Sequence, residues 1–312
     1  MKNIKIFCSW DLQFDFFHEK QIELYVEHIP NDVVPKDTIR FVLLIEPVDI
    51  LNLNSAAEEA YKRGCFNYIF THNEDLLKAI PDAHLFEFAT TWIKDYQFPE
   101  KKYSVSTLVG GKLMAPGHYL RQKLWFKEGR IKNIPTSFFL SGNQGGIENY
   151  NNNPVLGSDK SPLFDSQFHI CIENTKRNNW FTEKLMDCLQ TKTIPIYWGC
   201  PNIGNWFNLD GFIIVDNLED IVNACNGIQE NTYQEKLAAV EENFEKVKSN
   251  AVYAWNNELN KIDIEINHLA FKYNDNDKNA LSNISLKIKQ GEKIAVVGTK
   301  GSGKSTLMHL LT

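Results

Sequence analysis

Two clusters of residues in this 312-residue chain have the types and spacing to handle phosphate. The first is Thr182-Glu183-Lys184, where a loop enters a helix-like segment. Backbone N–H groups and the helix dipole favour anions at such a point, Thr182 can cap the turn, and Lys184 adds a full positive charge. Arg121, in Tyr119-Leu120-Arg121-Gln122-Lys123, offers a planar fork suited to phosphate oxygens. A group transfer that expels a diphosphate needs fixed positive charge of this kind, together with a base for the incoming proton and a pocket for the nucleoside. A lone Lys or Arg is ordinarily a solvated charge, so neither residue carries the assignment alone. The second cluster is Gly298-Thr299-Lys300-Gly301-Ser302-Gly303-Lys304-Ser305, followed by Thr306. Gly298, Gly301 and Gly303 let backbone N–H groups, with that of Ser302 among them, curl around phosphates. Lys304 reaches the outer ones and Ser305 can ligate magnesium.

The elements that must position these residues follow from periodicity. Lys293-Ile294-Ala295-Val296-Val297 is a strand leading into the second cluster. Near the start, Met1 to Phe7 reads as a first strand. The continuous apolar run Ile39 to Ile45 suits a strand buried on both faces of a parallel sheet. A helix over Ser55–Lys62, a strand over Phe66–His72 and a helix starting at Asn73 continue the alternation, which argues for a Rossmann-like layer. A second α/β unit starts near Lys101. It has a strand over Tyr103–Val109, a helix over Gly117–Glu128 and a polar loop over Gly142–Ser158. Strands over Phe168–Ile172, Thr193–Trp198 and Gly211–Val215 follow, with a helix over Thr182–Gln190 between the first two. Glu230 to Leu259 reads as one long charged helix with Leu237, Val240, Phe244, Val247 and Val252 on its apolar side. From Ile262 the period becomes two, as Ile262, Ile264 and Ile266 and then Ile284, Leu286 and Ile288 alternate with polar residues. This predicts antiparallel strands joined by a polar loop over Asn274–Lys278. The expected architecture is a GT-B-like pair of Rossmann-like domains, followed by a partial nucleotide-binding unit of antiparallel strands and P-loop. The expected boundaries are 1–100, 101–260 and 261–312.

Charge supports a break near residue 260. From Lys261 onward eight lysines face five carboxylates, a net +3, whereas the preceding residues hold 25 basic and 34 acidic side chains, a net −9. An acidic main body argues against a nucleic-acid groove, which needs a basic face. The six cysteines are far apart, with no C-x-x-C pair, and read as free core thiols of a reducing compartment. No cleavable leader follows Met1–Phe7, and no stretch approaches the roughly 20 apolar residues of a membrane span. The expected location is the cytoplasm, with peripheral association at the inner membrane left open. No metal site is expected. His18 and His28, or His72 and His84, lack paired-ligand spacing, and residues 1–260 contain no Asp-x-Asp.

Three segments then agree, in order and spacing, with one family. Cys171-Ile172-Glu173-Asn174, Trp180-Phe181-Thr182-Glu183-Lys184 and Ile194-Pro195-Ile196-Tyr197-Trp198-Gly199 resemble the donor domain of the glycosyltransferase family 10 fucosyltransferases. The resemblance implies an inverting transfer from GDP-fucose to a glycan acceptor, with no cofactor required. Lys184 and Arg121 would hold the diphosphate, and Glu183 would turn to the nucleoside. Glu173, Asn174, Trp180 and Thr182 fall in the donor-side motifs, and Glu46, after the strand ending at Ile45, falls where the family has its base. Trp180 departs from that family's tyrosine, and the N-terminal domain is short. Ile262 to Thr312 resembles the opening of an ABC transporter nucleotide-binding domain. There Tyr273, in Leu269-Ala270-Phe271-Lys272-Tyr273, would stack on adenine and the P-loop would take ATP and magnesium. The sequence ends at Thr312, before any Walker B acid or signature segment, so ATP binding without hydrolysis is the expectation for the tail. The leading reading is a GDP-sugar transferase. An ATP-binding module with an upstream passenger and a non-catalytic sugar-nucleotide binder are the alternatives.

Overall fold

Short apolar runs separated by turns and helices fold here into parallel strands. The structure is a computed structural model, and it describes residues 4–7, 21–86, 91–93, 96–250, 264–271 and 281–288. A first sheet contains β1 (Ile4–Phe7), β2 (Gln21–Val26), β3 (Thr38–Leu44), β4 (Tyr68–Thr71) and β5 (Ala83–Leu85) in simple sequential order, all parallel. Phe41 to Leu44 are all buried, as the unbroken apolar run predicts. Helix α1 (Asn54–Lys62) follows β3, and α2 (Glu74–Ala79) follows β4, capped by the Asn73 side chain, which accepts from the N–H groups of Asp75 and Leu76.

The second sheet contains β6 (Lys102–Val109), β7 (Thr136–Ser141), β8 (Val155–Leu156), β9 (Ser166–Ile172), β10 (Ile194–Trp198) and β11 (Ile213–Ile214). Their spatial order is β8-β7-β6-β9-β10-β11, all parallel. The chain starts in the middle, winds out one way, returns and winds out the other, which is the doubly wound order with its switch point between β6 and β9. Helices α3 (Pro116–Trp125), α4 (Glu183–Gln190), α5 (Leu218–Gly227) and α6 (Thr232–Asn250) cover it. Both faces are buried: Ile170, Ile172, Ile194 and Ile196 pack with Leu124 and Ile221 on one side, Cys171 and Tyr197 with Leu185 and Val247 on the other.

Several boundaries differ from the expectation. The helix expected over Gly117–Glu128 begins at Pro116 and stops at Trp125, and a separate 3-10 turn, Glu128–Arg130, follows. The polar loop after Gly142 ends in the short strand β8. The strand expected over Gly211–Val215 is a 3-10 turn, Leu209–Gly211, and the short β11. The long helix is described from Thr232 to Asn250; Val240, Phe244 and Val247 are buried on it, and Val252 lies outside the described residues. In the tail, β12 (Ile264–Phe271) and β13 (Leu281–Ile288) pair antiparallel, with Ile264 opposite Ile288, as the two-residue period predicts. Tyr273 and the P-loop residues Gly298, Gly301, Ser302, Gly303, Lys304, Ser305 and Thr306 lie outside the described residues. Five cysteines are free and buried, and Cys8 lies outside the described residues. Among the described residues no helix is long and apolar enough to cross a membrane.

Candidate active site

A doubly wound sheet offers its ligand crevice beyond the carboxyl ends of the strands at the switch point. A cleft of about 1010 Å³ opens there, with Gly110 and Gly111 following β6, Asn174 following β9, and Ile45 and Glu46 reaching in from the end of β3. The two sheets therefore share one cleft.

Its floor is set by the loop from β9 to α4. Glu173 is wholly buried beneath the cleft and does not line it. The Thr182 N–H donates to Glu173 Oε1 at 2.8 Å and the Thr182 hydroxyl to Oε2 at 2.7 Å. Burial pushes the Glu173 carboxyl up, against the pull of Lys184. Glu173 is thus the anchor of the turn. Thr182 caps α4, accepting from the Lys184 N–H at 3.4 Å. The Lys184 ammonium donates to Glu183 Oε1 at 2.8 Å and stands 3.9 Å from Glu173 Oε2. Burial alone would lower the Lys184 pKa, but these two carboxylates outweigh it, so the group stays charged with 30% of its side chain exposed.

Arg121 reaches the same place from α3. Its guanidinium donates to the Ile172 carbonyl and, at 2.8 Å, to Asn174 Oδ1. The Gly117 N–H donates to the Asn174 carbonyl at 2.8 Å, and a Cβ on Gly117 would lie 1.8 Å from the Glu173 carbonyl oxygen. Only glycine lets α3 approach β9 so closely. His118, one residue on, accepts the N–H groups of Ala115 at 3.0 Å and Met114 at 3.3 Å on Nδ1. Its proton must then sit on Nε2. Burial, with Arg121, Lys112 and Lys184 nearby, brings its pKa down to about 4, so this cleft-lining ring is a neutral N–H donor.

On the opposite wall, burial pushes the Glu46 carboxyl up, while Lys184 and Lys112 pull it down. The peptide beneath it is held by Glu27, whose Oε1 accepts the N–H groups of Ile45 and, at 2.8 Å, Glu46. Glu27 has a left-handed φ of 52°, and burial pushes its carboxyl up to about 7. Trp180 is buried, and its indole N–H donates to the Ile45 carbonyl at 2.9 Å, tying the second layer to the first. Asp49 completes the junction, taking the Thr175 hydroxyl at 3.0 Å and two bonds from Arg177 at 3.0 Å each. Asp187, 4% exposed and lining the cleft, accepts from Thr91 and from the backbone of Trp92 and Ile93.

Glu46, Arg121, Asn174, Trp180, Thr182, Glu183 and Lys184 thus line one cleft, while Glu173 supports it from below. Sequence reasoning missed Glu27, His118, Asp187 and Trp92. Only His118 carried a local signal, as the third residue of a helix able to reach back to its own N-terminus. Among the described residues, no group of three or more His, Cys, Asp or Glu side chains could hold a metal ion.

Comparison with known proteins divides the chain. Residues 149–262 match the family model for the C-terminal part of glycosyltransferase family 10 (fucosyltransferase), and residues 281–312 match that of the ABC transporter family. The two matches cover separate stretches, and neither reaches half of the chain. Among curated proteins, an alpha-(1,3)-fucosyltransferase of Helicobacter pylori is 36% identical over 67 residues, 22% of this chain and 14% of that protein. An energy-coupling factor transporter ATP-binding protein of Mycoplasma mycoides is 49% identical over 53 residues, 17% of this chain and 13% of that protein. The chain thus spans about one-seventh of the length of these curated relatives. A crystal structure of an alpha1,3-fucosyltransferase with GDP aligns at 18% identity and a TM-score of 0.44, covering 75% of this chain and 77% of that one.

Proposed function

We propose that this chain is an inverting glycosyltransferase that moves fucose from GDP-fucose to a glycan acceptor, working as three units over 1–100, 101–260 and 261–312. The observation that carries this reading is the convergence of Lys184 and Arg121 at the carboxyl end of β9, with Glu46 across the same cleft. The match of residues 149–262 to family 10 and the Helicobacter pylori relative support fucose as the sugar and GDP as its carrier. In this scheme the diphosphate lies against Lys184 and Arg121, and the His118 Nε2–H offers a further neutral donor. The acceptor hydroxyl attacks the anomeric carbon from the Glu46 side. Its proton passes to the Glu46 carboxylate as the carbon–oxygen bond to GDP breaks on the opposite face, so the anomeric configuration inverts. A carboxylate pushed up by burial is a stronger base than a solvated one, which suits Glu46 to that step. Glu183 and Asn174 turn to the nucleoside and ribose side.

ATP binding at the tail is a second activity, supported by the ABC transporter match over 281–312 and involving Tyr273 and Lys304. The deciding experiment is thermal stabilisation by GDP, compared with ATP and magnesium, alongside turnover of GDP-fucose in EDTA. GDP at about 100 times its dissociation constant should add roughly 2.7 kcal/mol to stability. Stabilisation by ATP alone, with no GDP effect and no release of GDP from GDP-fucose, would sink the transferase reading.

A further inference from the structure

The donor and base residues leave one part of the cleft wall unused. Trp92 lines the cleft and is 60% exposed, an unusual position for an indole. Its backbone is nevertheless fixed. The Thr91 hydroxyl donates to Asp187 Oδ1 at 2.6 Å, the Trp92 N–H at 2.9 Å and the Ile93 N–H at 3.3 Å. Ile93 is 2% exposed and packs into the core around Leu185, and Gln190 donates to its carbonyl at 3.0 Å. The ring is therefore presented bare on a rigid mount, which lowers the entropy cost of binding against it.

Asp187 adds a second feature. All three bonds fall on Oδ1, and among the described residues Oδ2 takes none. A flat apolar ring and an open acceptor oxygen, both on the cleft wall, fit a pyranose, which has one face of C–H groups and a rim of hydroxyl donors. The nucleoside base of the donor also has a flat face. A guanine edge, however, presents two parallel N–H donors that call for both oxygens of a carboxylate, and Oδ1 is already saturated. One free oxygen suits one hydroxyl.

We propose that Trp92 and Asp187 form the acceptor-sugar subsite, the pyranose ring stacking on the Trp92 indole while one of its hydroxyls donates to Asp187 Oδ2. The subsite rests on the transferase reading for the word acceptor, but its ligand chemistry does not. The test is calorimetric titration of the full chain, Trp92→Ala and Trp92→Phe, first with GDP and then, with GDP present, with lactose, cellobiose and diacetylchitobiose, using open-chain glucitol as control. GDP affinity should stay within twofold in both variants. Disaccharide binding should fall at least tenfold in Trp92→Ala and recover most of its strength in Trp92→Phe, with glucitol inert throughout. The ring is exposed, so the melting temperature of Trp92→Ala should match that of the parent. A tenfold loss of GDP affinity in Trp92→Ala would give the ring to the nucleoside and overturn the proposal. So would disaccharide binding indifferent to Trp92, or no disaccharide binding at all. Trp92-dependent disaccharide binding without GDP binding would instead sink the transferase reading and leave the sugar subsite standing.

Discussion

Lys184 and Arg121 are held in place by partners of the protein's own, so their charge is oriented before any ligand arrives. Preorganised donors are typically worth about 2.7–4 kcal/mol each. Lys184→Ala and Arg121→Ala are each expected to cut turnover about 10²–10³-fold, with wild-type activity unaffected by EDTA; activity lost on chelation and restored by manganese would assign that role to a metal. Glu46→Gln should lower turnover by about 10²–10⁴-fold while GDP still binds, as steady-state rates and titration would show. Glu27 gives a prediction on pH. Its folded pKa of about 7 lies above the ordinary carboxylate value, so the folded state keeps a proton that the unfolded chain releases. Stability should therefore fall as pH rises from about 4.5 to 7, by about 3 kcal/mol in all. Glu27→Gln keeps an acceptor for the two N–H groups and should match the parent near pH 4.5 but melt higher above pH 7. A parallel decline in both proteins would count against it. Lys184, Arg121 and Glu46 were picked out chiefly by the family resemblance of the segments around them, since a lone charge in a sequence ordinarily reads as solvated. Glu27, His118 and Asp187 were not, since their roles come from backbone groups, brought near by folding, that leave no mark in the sequence.

At the scale of elements, β9, α4 and β10 were readable within a residue or two because buried parallel strands are continuous apolar runs and Thr182 is a clear cap. β2 was not. Its Glu23 is buried opposite Arg40 on β3, and the Arg40 guanidinium bonds Glu23 at 2.8 Å while lying over the Tyr25 ring. In sequence such a pair reads as two solvated charges; only the register shows that they neutralise each other. The short β7, β8 and α5 likewise gain definition from neighbours rather than from their own pattern. Helix α3 passes close to the chain leaving β9 at Gly117. Gly117→Ala forces a Cβ to within 1.8 Å of the Glu173 carbonyl oxygen, so α3 must shift and carry Arg121 with it. Overpacking of this kind costs about 1–3 kcal/mol. The variant should melt lower and lose turnover to nearly the extent of Arg121→Ala; a folded variant with normal turnover would separate α3 placement from the site.

For the whole molecule, the charge split near residue 260 and the change to a two-residue period predict that the tail and the cleft work independently. Removal of residues 261–312, or Lys304→Ala, should leave GDP affinity and transfer rate unchanged, and a large fall in turnover with normal folding would join the two. A last consequence comes from the junction at Asp49. The loop that grips Asp49 through Thr175 and Arg177, and Ile45 through Trp180, is the same loop that ends in the Thr182–Lys184 turn. Parting the two sheets therefore pulls on the Thr182–Lys184 turn itself, the proposed diphosphate anchor. The Arg177–Asp49 pair is partly exposed, at 45% and 28%, and mobile ions screen such pairs. Ionic strength then becomes a throttle on the cycle: where departure of GDP limits the rate, moderate salt should raise kcat while lowering kcat/KM for the donor, and Asp49→Asn should reproduce both effects in dilute buffer.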